Sequence, residues 1–237
     1  MTRVIATGFS IFLSCALSAQ AVDGIFLFHP NYYDEGYCTR VVDNGNIYIT
    51  GRTDVRRVYN FLTLGLLPDG SFNPGFSGDG ILVTNLAKNS GSFSYSCLVQ
   101  PDGKIVSGGG AGGDFAVMRL NTDGSMDRTF NKSGSVKTDL GGSEYIQGMA
   151  LQYDNKLLAA GNTSDHAFAI TRYTTNGKLD TAFGSSGVVK TLYPELQYGV
   201  ECWRVAPYLD GFVVGGFGYS PYERYQVLAR YYANGSL

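Results

Sequence analysis

The chain has 237 residues, of which 44% are hydrophobic and 14% aromatic, which is enough apolar material for a substantial core in one domain or two. Only 16% of the residues are charged and the formal net charge is -2, so electrostatics favours neither nucleic acid nor an anionic membrane surface as a partner. We also expect no membrane insertion, because no segment after the N-terminal one is long and apolar enough. The 32 glycines favour many tight turns, because glycine adopts the positive φ angles that hairpins need.

The first 21 residues have the pattern of a secretory signal peptide. Arg3 supplies the positive charge, residues 4–16 form an apolar segment too short for a stable membrane anchor, and Ala19-Gln20-Ala21 is an A-x-A cleavage site. We therefore predict a mature chain that starts at Val22 and is secreted, periplasmic or on the cell surface.

A repeat with four short strands, a to d, accounts for the rest of the chain. Its turn glycines are Gly70, Gly124, Gly177 and Gly235, each preceded by Asp or Asn and by an apolar strand c. Strand d follows, at residues 81–84, 135–138 and 188–191, and a hairpin of strands a and b with its own turn lies upstream. Four-stranded repeats of this length are typical of β-propeller blades.

Several strings carry a family resemblance. Gln100-Pro101-Asp102-Gly103-Lys104-Ile105-Val106, Phe168-Ala169-Ile170-Thr171-Arg172-Tyr173 and Leu179-Asp180-Thr181-Ala182-Phe183-Gly184 resemble the delta-60 repeats of bacterial propeller-type proteins. The resemblance implies an exported propeller and no particular activity.

The predicted fold is an all-β propeller of four blades, each with four antiparallel strands, in one domain over residues 22–237. The repeats cover about residues 37–84, 93–138, 145–191 and 200–237. Residues 23–28 match the strand d that starts at Ile81, so we expect this N-terminal strand to complete the last blade and remove its open edge.

Two charged positions recur with the repeat, which favours a structural role. Arg119 and Arg172 share one register on strand c, and Asp127 and Asp180 each lie three residues after the turn glycine. The first repeat lacks both charges, so we predict structural Arg–Asp pairs. Arg230 occupies the same register without such an Asp, which leaves open a longer array of repeats or a different partner.

The rim that carries the b–c and d–a loops is predicted to be irregular, and variable loops on a rigid scaffold are a common place for binding. Exposed Tyr, Trp and Arg are enriched in binding hot spots. The candidate binding residues are Tyr32, Tyr33, Asp34, Arg52, Arg56, Trp203, Tyr219, Tyr222 and Arg224.

Other residue types give weaker signals. His29 and His166 are too few and too scattered to predict a metal site. We predict no catalytic residue and no cofactor. Of the mature cysteines, Cys38, Cys97 and Cys202, two could form one disulfide, but we favour all three as small buried strand residues.

We therefore favour a non-enzymatic binding or scaffold module that engages a glycan, peptide or surface protein through its irregular rim. The first alternative is a lyase or hydrolase with its site at the central channel of the propeller. The second is a structural repeat segment of a larger surface protein.

Overall fold

The computed structural model describes residues 34–88, 90–196 and 198–237, and the regular secondary structure in these ranges is antiparallel β-sheet. Within them, no helix has the length and hydrophobicity needed to cross a bilayer. The strands are β1 Glu35–Val41, β2 Ile47–Val55, β3 Val58–Leu66, β4 Ile81–Thr84, β5 Ser92–Val99, β6 Ile105–Ala111, β7 Asp114–Leu120, β8 Ser135–Thr138, β9 Tyr145–Leu151, β10 Leu157–Asn162, β11 Phe168–Tyr173, β12 Val188–Thr191, β13 Val200–Tyr208, β14 Gly211–Tyr219 and β15 Arg224–Tyr232.

These strands form four sheets in chain order: β1 to β4, β5 to β8, β9 to β12, and β13 to β15. The first strands of successive sheets pack on one another, β1 on β5, β5 on β9 and β9 on β13, as inner strands do around a propeller channel. The predicted all-β propeller is confirmed, with four blades in the described residues. The fourth blade has three strands there, and the predicted closing strand at residues 23–28 lies outside the described residues.

The turn between strands c and d shows how the repeated sequence builds each blade. The Asp69 carboxylate accepts a hydrogen bond from the N–H of Ser71 at 3.0 Å, and Gly70 between them has a φ of 80°. The side chain therefore caps its own turn, and glycine adopts the left-handed conformation without a Cβ clash.

The turn glycine also allows close packing between successive blades. A Cβ on Gly124 would lie 3.1 Å from the ring of Phe76 in the preceding blade, and one on Gly177 would lie 2.8 Å from the ring of Phe130. Phe76 and Phe130 are buried, so the phenylalanine after each turn fills the space beneath the next blade's turn.

The residues predicted to form structural pairs are in contact. Arg119 Nε donates to the Asp127 carboxylate at 2.7 Å, and Arg172 Nε donates to the Asp180 carboxylate at 2.8 Å. Each guanidinium also reaches a carbonyl of the next blade, so it joins two blades as well as two strands. The carbonyls belong to Thr175 for Arg119 and to Ala233 for Arg172.

The first and fourth blades depart from this pattern in different ways. In the first blade Gly65 replaces the arginine, and the ring of Phe76 lies so close that a Cβ there would be 2.6 Å away. In the fourth blade Arg230 pairs with Asp210 at 3.2 Å, and both side chains are more than half exposed.

The prediction of irregular b–c loops is wrong for the first two blades. Strands β2 and β3 are joined by Arg56 and Arg57 alone, with φ angles of 55° and 67°, and β6 and β7 by two glycines of positive φ. Two successive positive φ angles make the tight primed turn that matches strand twist. The longer connections in the described part of the rim are mostly those from strand d to strand a.

The cysteines also differ from the favoured interpretation. Cys38 on β1 and Cys97 on β5 form a disulfide with a Cα–Cα distance of 5.7 Å, which links the inner strands of the first two blades. Cys202 is free and buried, and burial raises the pKa of its thiol.

Candidate functional site

Each of the four inner strands carries one bulged residue at the same place in the repeat. The register with the neighbouring strand skips one position between Gly36 and Cys38, between Ser94 and Ser96, between Ile146 and Gly148, and between Cys202 and Arg204. The bulged residues are Tyr37, Tyr95, Gln147 and Trp203. Bulges redirect side chains and are frequent beside functional sites.

A glycine on the adjacent strand makes room for each bulge. These glycines are Gly51, Gly109, Gly161 and Gly216. A Cβ on any of them would overlap a backbone carbonyl oxygen of the inner strand, namely that of Glu35, Phe93, Tyr145 or Glu201. The bulges are therefore built into the sequence repeat, because only glycine allows this close approach of two backbones.

The same four carbonyl-bearing residues stand two positions before the bulges, near the start of each inner strand. They form a second set of equivalent positions: Glu35, Phe93, Tyr145 and Glu201. The first and fourth blades thus supply carboxylates where the second and third supply aromatic rings. We call these four residues and the four bulged residues together the channel mouth.

In the first blade, Glu35 belongs to a small polar and aromatic cluster. Arg52 on β2 donates to its carboxylate at 2.9 Å, and the Tyr37 hydroxyl donates to it as well. The Arg52 guanidinium lies 4.3 Å from the ring centre of Tyr59 and 5.7 Å from that of Tyr37. These cation–π contacts fix the arginine beside the carboxylate.

The aromatic rings of the first three blades touch one another across the channel mouth. Tyr37 and Tyr95 have ring centres 4.7 Å apart, Tyr95 and Tyr145 are 5.7 Å apart, and Phe93 lies 4.9 Å from Tyr95. Burial raises the pKa of Tyr95, so its phenol stays protonated at neutral pH. The result is a continuous aromatic patch across the first three blades.

The fourth blade also has a glutamate that accepts a hydrogen bond from its bulged aromatic residue. Trp203 Nε1 donates to the Glu201 carboxylate at 3.1 Å, and its ring centre lies 5.5 Å from that of Phe217. The Arg224 guanidinium covers the Phe217 ring at 3.7 Å and lies 5.6 Å from the Tyr219 ring centre. In both blades an aromatic side chain donates to the glutamate, but only in the first blade does the arginine donate to the carboxylate as well.

A cavity of about 190 Å³ opens between the inner strands. Tyr37 and Tyr95 line it, together with residues farther along the inner strands, among which Arg40 and Arg204 carry positive charge. Arg204 is held by hydrogen bonds to the carbonyls of Gln147 at 3.2 Å and Trp203 at 2.8 Å. The cavity can thus accept a polar ligand whose rings or sugar faces pack on the tyrosines.

The structure brings part of the predicted binding set to this place. Arg52, Trp203, Tyr219 and Arg224 lie in the two carboxylate clusters, and Asp34 immediately precedes β1. Arg56 is at the tip of the β2–β3 turn, and Tyr222 is 94% exposed in the β14–β15 turn. Tyr32 and Tyr33 lie outside the described residues.

Sequence reasoning missed the channel-mouth residues other than Trp203. Tyr95, Tyr145 and Glu201 fall within the predicted repeats as strand residues, and Glu35 falls in the d–a loop before the first repeat, although the strand b glycines opposite all four inner strands recur in every repeat. That recurrence was the available signal for a bulge.

A family model described as "Domain of unknown function (DUF5122) beta-propeller" matches residues 100–130 and 152–183, within the second and third blades. This match supports a β-propeller repeat family. Among curated protein sequences, none matches the chain at a significant level.

Two solved structures share part of the arrangement. An exo-1,5-alpha-L-arabinanase from a bovine ruminal metagenomic library is 10% identical, with a TM-score of 0.46 over 82% of this chain and 73% of its own. A Cellvibrio cellulosa alpha-L-arabinanase complexed with arabinohexaose is 10% identical, with a TM-score of 0.48 over 83% of this chain and 74% of its own.

Both of these proteins are named as enzymes, which contradicts the favoured prediction of a non-enzymatic binding or scaffold module. Such distant likeness assigns this chain neither catalytic residues nor a substrate. Catalytic residues and a substrate class have to be argued from the residues of the channel mouth itself.

Proposed function

We propose that this protein is a propeller hydrolase that cleaves glycosidic bonds at its channel mouth. The observation that carries the proposal is the placement of Glu35 and Glu201 at one register position of two inner strands, on either side of an aromatic patch. Glycosidases generally use two carboxyl groups, one to protonate the leaving oxygen and one to activate water or attack the sugar.

The surroundings of the two carboxylates favour different roles. Arg52 donates to Glu35 at 2.9 Å, and this charge-assisted contact holds the carboxylate in a fixed orientation, as a base or nucleophile requires. Trp203 Nε1, an uncharged donor, contacts the Glu201 carboxylate at 3.1 Å. Glu201 is therefore the proposed acid and Glu35 the proposed base or nucleophile.

The aromatic residues supply the binding part of the proposal. Sugar rings pack their C–H faces on aromatic side chains while hydroxyls form hydrogen bonds with neighbouring polar groups. Tyr37 and Trp203 are 40% and 41% exposed, so each has a face free for such contacts. Arg40 and Arg204 in the cavity are suited to hydrogen bonds with sugar hydroxyls or to an acidic sugar.

The test is release of reducing ends from a panel of soluble polysaccharides, with arabinan as one member. Glu35→Gln and Glu201→Gln should each lower kcat at least about 100-fold, since they remove an acid or a base. Trp203→Ala should raise KM, because it removes stacking surface, and should also lower kcat, because it removes the donor to Glu201. Glu223→Gln, in the exposed β14–β15 turn of the same rim, is the matched control and should leave turnover unchanged.

The enzyme proposal fails if no polysaccharide in the panel yields reducing ends. It also fails if turnover occurs but both glutamine variants at Glu35 and Glu201 retain it. Binding of a polysaccharide without turnover would retain the channel mouth as a site and remove the catalytic step.

We also infer that the protein is exported and belongs with the delta-60 repeats. The tripartite pattern of residues 1–21 supports export, and the strings around Asp102 and Asp180 support the family. Mass spectrometry of the protein recovered from its native host should find Val22 as the first residue, and an intact Met1 or Thr2 would contradict export by this route.

A further inference from the structure

Three carboxylates meet where the second blade joins the third. Asp114 begins β7, Asp139 directly follows β8, and Glu144 directly precedes β9. One carboxylate oxygen from each residue lies within 4.8 Å of the other two. Residues at the ends of three different strands therefore place three carboxylates around one point on the same rim as the channel mouth.

Glu144 shows that this cluster is more than an exposed acidic patch. The residue is 2% exposed, and neither of its carboxylate oxygens has a hydrogen-bond partner. Its backbone N–H donates to the carbonyl of Gly113 at 2.7 Å, which holds the residue in place. A buried carboxylate without a partner is rare in proteins and calls for an explanation such as a bound ion.

Two lysines lie near the cluster, one of them paired with its member Asp114, but neither pairs with Glu144. Lys137 Nζ pairs with Asp114, and Lys190 Nζ donates to the carbonyl of Leu140 at 2.8 Å and to Asp165 at 3.1 Å. Neither ammonium group forms a hydrogen bond with Glu144.

Burial raises the pKa of Glu144, and the charges of Asp139 and Asp114 act in the same direction. The Leu140 backbone and the charge of Lys190 act to lower this pKa, although neither group lies in hydrogen-bond geometry with the Glu144 carboxylate.

We propose that Asp114, Asp139 and Glu144 form a calcium site. Calcium takes carboxylate oxygens at about 2.3–2.6 Å, so oxygens up to about 5 Å apart can share one ion. Magnesium binds oxygens at about 2.0–2.1 Å in strict octahedral geometry and loses its water reluctantly, which makes it the poorer fit for this spacing. A calcium ion would supply the missing partner of Glu144.

The ion would have a definite structural effect. Asp139 and Glu144 bracket the connection between β8 and β9, and Tyr145 of the channel mouth follows at once. Calcium bound to both ends of this connection would fix the start of the inner strand. The site is separate from the proposed catalytic pair, so either proposal can fail without the other.

The experiment uses the full mature chain after dialysis against a chelator, with calcium chloride as the probe. Calorimetry should show one site per chain, with a Kd between about 10⁻⁶ and 10⁻³ M. Calcium at about one hundred times Kd should raise the Tm by roughly 5–10 °C. Magnesium chloride at the same concentration should have a much smaller effect.

Variants test whether calcium binds at this cluster. Glu144→Gln should weaken calcium binding at least about tenfold and should abolish most of the rise in Tm. Without calcium the variant should melt no lower than the parent, since the amide removes an unpartnered buried charge. Asp154→Asn, in the exposed β9–β10 turn on the opposite rim, should bind calcium like the parent.

Two outcomes would overturn the proposal. The first is absence of saturable calcium binding to the chelated parent up to millimolar concentration. The second is unchanged binding in folded Glu144→Gln, which would place the ion elsewhere.

Discussion

Replacing Arg172 with methionine should destabilise the propeller strongly, because it removes one partner of a buried ion pair. Arg172 and Asp180 are 6% and 7% exposed, and the substitution also removes the donor to the carbonyl of Ala233 in the next blade. Loss of one partner of a buried pair costs about 3–5 kcal/mol. Lys156 stays 3.1 Å from the Asp180 carboxylate, so we expect the lower end, about 3 kcal/mol.

Differential scanning calorimetry of the mature chain measures this effect. A loss of about 3 kcal/mol corresponds to a fall in Tm of roughly 6–12 °C for a domain of this size. The matched control is Arg230→Met, which makes the same change at the same repeat position. Its ion pair with Asp210 is exposed and should contribute less than about 1 kcal/mol.

A second variant separates loss of charge pairing from loss of packing. In Arg172→Met/Asp180→Leu no unpaired carboxylate remains, so part of the lost stability should return. The reasoning is refuted if Arg172→Met melts within a degree of the parent. It is equally refuted if Arg172→Met and Arg230→Met lower the Tm by the same amount.

Two further predictions concern stability and thiol chemistry. Burial alone would raise the pKa of Asp127, but hydrogen bonds from Thr129 and nearby positive charge lower it to about 2. The unfolded carboxyl titrates near 4, so Asp127 should contribute about 2 kcal/mol to the free energy of unfolding above pH 4, and this contribution should be lost as the pH falls to about 2. Denaturant titrations of the parent and of Asp127→Asn over this pH range measure the difference. Free energies of unfolding that run parallel with pH in the two proteins would contradict the prediction. Reducing the Cys38–Cys97 disulfide, which spans 59 residues, should lower the free energy of unfolding by about 2–4 kcal/mol. In the unreduced mature protein, a thiol reagent should react with the buried Cys202 only after unfolding. A thiol titrated in the native mature protein, or an unchanged Tm after reduction, would contradict the assignment.

The blade architecture was predictable because it depends on local chemistry that repeats. Asp-Gly and Asn-Gly turns between apolar runs specify hairpins within a few residues, and Gly70 and Gly124 adopt the positive φ angles expected of them. The dependence on local sequence also explains why the β2–β3 turn was not predicted. Arg56 and Arg57 form a primed turn without the usual Asn or Gly, so the sequence around them resembles an irregular loop.

The register of Arg172 and Asp180 was also visible in the sequence, since both charges recur together. Their contact across the c–d turn lies within one repeat, eight residues apart. The reach of Arg172 to Ala233 in the next blade was not visible, because it depends on how successive blades stack.

The functional site shows the limit of sequence reasoning most clearly. Glu35, Tyr95, Tyr145 and Glu201 belong to four different blades. The sequence places Glu35 in a loop before the first repeat, and each of the other three alone looks like an ordinary strand residue. They share the channel mouth only because inner strands pack side by side and bulge at one level.

By itself, then, the sequence determined the repeat, the strands and the propeller, since short-range turn chemistry and alternating hydrophobicity suffice for these. Tertiary packing alone decided which side chains meet. It placed the two carboxylates of Glu35 and Glu201 on either side of an aromatic patch and gathered Asp114, Asp139 and Glu144 around one point. The physical reason is that both sites join residues from separate strands or blades, whose distances no local pattern encodes.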